Sequence, residues 1–126
     1  MGSGETSDAL RNAVEQFSQP FTTMDQLKIV PMRLDAIVAI LLATPYVRTK
    51  LGPVRAAELS QASPELPALL RELGDTEFVE TAEAASALLE ISRSSVGDFD
   101  DEIAMANRER ERFHEACARI LTSINL

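Results

Sequence analysis

The residue types that most often carry chemistry are sparse in this chain, and two of them stand three positions apart. The 126 residues include a single histidine, His114, and a single cysteine, Cys117. On a helix this spacing places both side chains on one face, where they could supply half of a zinc site. With no other histidine or cysteine to complete the site, we interpret the pair as a structural histidine beside a buried cysteine and predict no metal.

A second candidate for metal binding is the acidic cluster Asp98, Asp100, Asp101 and Glu102. Hard cations such as Ca²⁺ prefer carboxylate oxygens. The segment lacks the glycine and the final glutamate of an EF-hand loop, however, and acids at the start of a helix are stabilised by its dipole. We therefore predict that Asp98 or Asp100 caps a helix and that the neighbouring acids fill its first turn.

Signatures of covalent and phosphate chemistry are absent from the sequence, which has neither Gly-x-Ser-x-Gly nor a glycine-rich phosphate loop. With one histidine, acid–base groups would have to be carboxylates, Lys28, Lys50 or Tyr46. We therefore predict a protein that is not an enzyme and holds no cofactor. Catalysis by carboxylates is the alternative, and a pocket containing two acids of raised pKa would support it.

Charge is distributed unevenly along the chain. Residues 28–55 contain five basic residues against one acidic residue, whereas residues 72–102 contain ten acidic residues against one basic residue. Such a chain presents differently charged surfaces to its partners. We predict that the basic segment binds an acidic peptide or partner helix through Tyr46, Arg48, Lys50 and Arg55, which we call the basic rim.

The overall charge and hydropathy exclude other partners. A formal net charge of −8 repels nucleic acids and anionic membranes, so we predict neither as a partner. The longest apolar run, residues 36–43, is far shorter than the roughly 20 residues that span a bilayer. The lone cysteine and the lack of an export signal predict an intracellular protein, cytoplasmic or nuclear. Residues 1–6 read as a tag-like or disordered N-terminus, and residues 7–126 as one domain.

Apolar residues recur at intervals of three and four, which predicts an all-α fold of about six to seven helices. A turn-rich stretch is expected over residues 46–51. Ser63 and Pro64 are expected to open the helix that ends at Gly74. The helix over residues 31–44 is apolar almost all round and is expected in the middle of the bundle. The other helices are predicted over residues 7–18, 23–30, 54–61 and 77–92, and from Asp98 or Asp100 to Ile124.

The last predicted helix carries an unbroken heptad seam of a and d positions. Arg110 occupies one of the apolar positions. Either the helix overhangs the domain there and Arg110 extends to solvent, or Arg110 faces a partner or pairs with a core acid. We favour an overhang or interface, which makes Arg110 a fifth candidate for partner binding. The seam consists of Ile103, Ala106, Arg110, Phe113, Cys117, Ile120 and Ile124.

Two stretches resemble helical-repeat families. Residues 66–75, followed by Phe78, Val79 and residues 82–91, resemble the second and third helices of an armadillo repeat. Residues 36–44 match residues 84–92 at an offset near the period of about 40–47 residues in HEAT and armadillo units. Residues 89–98 and 116–121 more loosely resemble the N-terminal helical domain of the elongation factor TFIIS. Either resemblance implies a protein-binding module with a compact stack of helices.

These observations together predict a non-enzymatic protein–protein interaction domain, of adaptor or scaffold type, that binds a peptide or partner helix through its polarised surface. The alternative is a structural domain that forms homo-oligomers, such as a homodimer, through the heptad seam. In that case Arg110→Leu is expected to tighten the dimer, because a charge at an a position costs stability.

Overall fold

The computed structural model describes residues 2–93 and 99–123, with side chains described for residues 8–93 and 100–123. The described residues form α-helices and no strand, which confirms the all-α prediction and the long C-terminal helix. The helices are α1 (Gly2–Glu15), α2 (Met24–Lys28), α3 (Val30–Ala43), α4 (Pro45–Leu51), α5 (Pro53–Ala62), α6 (Leu66–Leu73), α7 (Thr76–Arg93) and α8 (Phe99–Ser123).

The prediction of a turn-rich stretch over residues 46–51 was wrong, because these residues form α4. Thr44 is the N-cap of this helix, and its Oγ1 accepts a hydrogen bond of 3.3 Å from the backbone N of Val47. Pro45 occupies the first helical position, where proline sacrifices no hydrogen bond. Pro45 therefore starts a helix where turns were expected.

The start of α6 also differs from the prediction. Ser63, expected as the N-cap of this helix, is instead the C-cap of α5, with a left-handed backbone (φ 51°) and its N–H bonded to the carbonyl of Leu59. Helix α6 begins at Leu66 after Glu65, and its first turn contains Pro67. It ends at Gly74 as predicted. That residue adopts a φ of 82°, which glycine reaches without the steric cost that a Cβ would impose.

One apolar core holds the described helices together. Helix α7 packs between α6 and α8 and also contacts α3, while α1 lies against α3 and α8. Ala82, Ala84 and Ala85 on α7 are fully buried, so these small side chains allow the neighbouring helices to approach closely. The largest fully buried side chains are Phe17, Phe78, Phe113, Leu27, Leu34, Ile37, Leu66, Leu69, Leu70 and Leu88.

Helix α3 is buried on one face only. The expectation that it lies in the middle of the bundle, covered on every side, was therefore wrong. Its buried residues are Val30, Leu34, Ile37, Val38, Leu41 and Leu42. The opposite side presents apolar residues to solvent because no described helix packs there. We call this side the open face of α3; it consists of exposed Met32, Ala36, Ala39 and Ala43, with half-buried Ile40 beside them.

The heptad seam of α8 faces the core of its own chain. Ala106, Phe113, Cys117 and Ile120 are buried, and α8 packs on α7 and α1. Ile103 is half-buried, and Ile124 lies outside the described residues. The prediction that α8 overhangs the domain at Arg110 was wrong, because this side chain is also buried, with only 5% of the residue exposed.

Candidate functional site

Two members of the basic rim converge on a single aspartate. The Tyr46 hydroxyl donates a hydrogen bond of 2.7 Å to Asp75 Oδ2, and Lys50 Nζ donates one of 2.6 Å to Asp75 Oδ1. Lys50 Nζ also lies 5.7 Å from the centroid of the Tyr46 ring. Because Asp75 immediately precedes α7, these contacts tie α4 to the start of α7.

The shared contacts shift the pKa of each group in this cluster. Hydrogen bonds from Lys50 and then from Tyr46 hold the pKa of Asp75 below its ordinary value. The hydrogen bond to Asp75 raises the pKa of Lys50, and the same acceptor together with desolvation raises the pKa of Tyr46. The ionised carboxylate is therefore the form of Asp75 that stabilises the fold.

Replacing Asp75 by asparagine is expected to lower the free energy of unfolding at neutral pH by about 1 kcal/mol, because a neutral amide loses the charge-assisted bond to Lys50. A group whose folded pKa is depressed contributes stability above its unfolded pKa and loses it as the pH falls through the folded value. The difference between wild type and variant should therefore close below about pH 4.

Urea unfolding followed from about pH 7 to about pH 2 checks this prediction. Glu115→Gln, which neutralises an exposed acid on α8, is the matched control and should follow the wild type. A stability difference for Asp75→Asn that stayed constant across the acid range would show that ionisation of Asp75 is not its source.

Arg55 is also paired within the chain. It forms a two-pronged contact with Glu72 on α6, in which Nη2 lies 2.9 Å from Oε2 and Nε bonds Oε1. Its Nη1 lies 2.9 Å from Glu58 Oε2 on α5. The hydrogen bonds that Arg55 donates lower the pKa of Glu72, and donation to Glu72 and then to Glu58 raises the pKa of Arg55. The charges of Lys50 and Arg55 are thus compensated by acids of the same chain.

Arg48 is placed differently from the rest of the rim. It is exposed, and its Nε donates a hydrogen bond of 3.1 Å to the carbonyl of Leu42 at the end of α3. No carboxylate of the described residues lies within ion-pairing distance of its guanidinium. Arg48 lines a surface groove of about 440 Å³ between α4 and α5, together with Thr49, Pro53, Ala56, Ala57 and Ser60.

Arg110, the remaining predicted site residue, bonds to its own chain. Its Nη1 donates a hydrogen bond of 2.6 Å to the carbonyl of Phe17, and its Nε lies 3.3 Å from Asn107 Oδ1. Asn107 in turn bonds both backbone groups of Phe21, accepting from N at 2.6 Å and donating to O at 3.0 Å. Asn107 and Arg110, which we call the α8 clamp, hold the connection between α1 and α2. The nearest carboxylate is Glu111, at 3.8 Å from Nη2.

The sequence signal for the α8 clamp was Arg110, a polar residue on an otherwise apolar seam, with Asn107 three positions before it. On a helix, that spacing puts both side chains on the same face. Residue types, however, do not reveal a hydrogen bond to the backbone of a distant segment. The sequence therefore located Arg110 as unusual without indicating which atoms it bonds.

The other candidates for chemistry lie apart from the basic rim. His114 Nε2 is 3.7 Å from Glu15 Oε1 on α1, while Cys117 is buried and desolvation raises the pKa of its thiol to about 12. Asp98 lies outside the described residues. Across residues 8–93 and 100–123, no three His, Cys, Asp or Glu side chains are grouped to hold a metal ion.

A small cavity of about 20 Å³ lies between α1, α3, α6, α7 and α8. It is close to the size of a single water molecule. Its lining is apolar apart from the side chains of Thr81 and Cys117, and the remaining lining residues are Leu10, Val14, Ile37, Leu41, Leu66, Leu70, Phe78, Ile120 and Leu121.

Comparison with protein-family models, with curated proteins and with solved structures gave no match. The resemblances to armadillo and HEAT repeats and to the TFIIS domain therefore remain predictions. Among the described helices, none combines the length and apolarity needed to cross a membrane. The observations that bear on function are thus the charges and exposed apolar groups of the surface.

Proposed function

We propose that this chain is a protein-interaction domain, of adaptor or scaffold type, that binds an acidic segment of a partner beside α4. The proposal is carried by Arg48, an exposed arginine that lines a groove and has no carboxylate partner within the described residues. A guanidinium presents a planar fork of donors that matches a carboxylate. With Nε bonded to the Leu42 carbonyl, the two terminal nitrogens of Arg48 are left for such a ligand.

Lys50 and Arg55 support this function indirectly. Their bonds to Asp75 and Glu72 fix α4 and α5 against the α6–α7 segment, and this positions the groove that Arg48 lines. Replacing Lys50 or Arg55 by an acid would place two carboxylates against each other within the same chain and destabilise the fold. Loss of binding in such variants would therefore not separate recognition from folding. Arg48 is the member of the basic rim at which the two effects can be separated.

Arg48→Glu is expected to weaken binding to the partner by about tenfold, because it sets like charges against each other at the interface. The melting temperature should stay near that of wild type, since Arg48 is exposed and forms no ion pair in the described fold. Affinity capture from a lysate, followed by titration of the captured protein in purified form, measures the change.

The matched control is Arg108→Glu. Arg108 is likewise exposed and without a carboxylate within 4 Å among the described residues, but it lines a different groove, between α7 and α8. This variant should capture the partner as wild type does. Equal capture by wild type and by Arg48→Glu would contradict the proposed function.

A further inference from the structure

The exposed side of α3 carries apolar residues along its length. We propose that the open face of α3 is the docking surface for an amphipathic helix of the partner, one whose apolar stripe is flanked by acidic residues. This inference rests on the proposed function and deepens it, since it names the surface that adjoins Arg48 and the kind of segment that the surface binds.

The first support is the apolar character of this face. A helix that is hydrophobic all round is normally covered on every side, yet α3 leaves Met32 65% exposed, and Ala36, Ala39 and Ala43 are exposed with it. These residues follow one another at spacings of four, three and four. That is the seam pattern by which one helix packs along another. The alanines would allow a second backbone to approach closely, while Met32 and Ile40 provide larger contacts.

The second support is the charge around this face. Most arginines and lysines of the described chain are ion-paired. The cations that have no carboxylate within 4 Å among the described residues are Lys28, Arg33, Arg48, Arg71 and Arg108.

Three of these unpaired cations surround α3. Lys28 ends α2 just before it, and Arg33 borders the open face, with Nη1 3.5 Å from the carbonyl of Gln16. Arg48 contacts its last turn through Leu42. Two exposed acids lie on the same elements, Asp25 on α2 and Asp35 on α3, so the three cations leave a net positive charge of one around the face. Complementary charge favours an acidic partner at this position.

The same charges argue against other occupants. A second copy of this chain, docked through the same face, would leave the cations around α3 facing the same cations of its twin. An anionic bilayer attracts basic helices with bulky apolar residues, whereas the open face consists mainly of alanines and belongs to an acidic protein. A separate acidic helix fits both the seam spacing and the unpaired cations.

The probe for this surface is a synthetic helical peptide with leucine and alanine at its a and d positions and glutamate at the flanking positions. A second peptide with the same composition in shuffled order is the reference. We expect the patterned peptide to bind the ¹⁵N-labelled protein with amide shifts concentrated on α3 and to bind about tenfold more tightly than the shuffled one.

Ala39→Glu is expected to weaken this binding by about tenfold or more, because it places an unpaired carboxylate in the middle of an apolar contact. Ala104→Glu changes an alanine on α8 that is also exposed; it is the matched control and should bind as wild type does. Circular dichroism and thermal unfolding establish that both variants fold, which is expected because both sites face solvent.

Several results would overturn the inference. Three concern the peptide: equal binding of the patterned and shuffled peptides, amide shifts away from α3, and equal affinity of Ala39→Glu and Ala104→Glu for the patterned peptide. Self-association that Ala39→Glu abolishes would instead assign the face to a second copy. Binding to anionic vesicles in place of the peptide would assign it to a membrane. If capture of the natural partner still depends on Arg48, such a result removes the α3 surface and leaves the proposed function standing. If capture is independent of Arg48, the proposed function itself fails.

Discussion

Replacing Phe113 by alanine is expected to lower the free energy of unfolding by about 3–5 kcal/mol, the range for deleting a large aromatic side chain from a core. Phe113 on α8 is fully buried, and its ring meets that of Phe17 edge-on, with the centroids 4.9 Å apart. The substitution removes both the filled volume and this aromatic contact. It also removes one contact between α8 and the segment that follows α1, beside those of the α8 clamp.

Urea unfolding measured by circular dichroism gives the size of the loss, and Phe113→Leu is the control. Leucine keeps most of the volume and should cost clearly less than alanine. Sedimentation should show the same oligomeric state for wild type and both variants, because the heptad seam is buried within one chain. A wild-type dimer that Phe113→Ala converts into a folded monomer would instead support the homo-oligomer alternative, in which the seam joins two copies.

Arg110→Leu is expected to lower the free energy of unfolding by about 1–3 kcal/mol, since it leaves a buried carbonyl without its donor. In the fold, Arg110 supplies the 2.6 Å hydrogen bond to the carbonyl of Phe17. The dimer hypothesis predicts the opposite sign for this same substitution, namely a tighter assembly. One variant therefore separates the two interpretations of the seam.

Arg108→Leu is the control for this experiment, because it removes the same charge from an exposed position two residues away. Hydrogen exchange provides a second measurement. The amide of Phe21 is bonded to Asn107 Oδ1, and it should exchange faster in Arg110→Leu because the α8 clamp loses one of its two members. Unchanged unfolding and unchanged exchange would show that Arg110 does not hold the α1–α2 connection.

Much of the fold follows from local patterns that the sequence displays. Gly74 ends α6 as predicted, because a left-handed C-cap is a local requirement that glycine meets. Ala82, Ala84 and Ala85 of α7 are buried between helices, where their small side chains allow a close approach. Helix α4, where turns were expected over residues 46–51, is also encoded locally, because Thr44 before Pro45 is a favourable pair of N-cap and first helical residue.

The candidate site could be predicted only in part, because its electrostatics depend on residues distant in the chain. The excess of positive charge in residues 28–55 is real, but Lys50 pairs with a residue 25 positions away and Arg55 with one 17 positions away. Counting charges along a sequence cannot reveal such pairing. Arg48 differs from Lys50 and Arg55 in having no ion-paired acid, and this difference arises only in the tertiary fold. The open face of α3 is likewise visible only once the other helices have been placed.

The α8 clamp has a consequence for how the chain acquires its structure on the ribosome. Its hydrogen bonds join residues that are 86 and 93 positions apart, so the segment after α1 is synthesised long before the helix that fixes it. Until α8 has emerged from the exit tunnel, Phe17 and Phe21 lack their partners, and the aromatic interior stays open to water. Contacts of such wide separation slow folding, so the segment after α1 is expected to reach its native structure only once α8 has been synthesised.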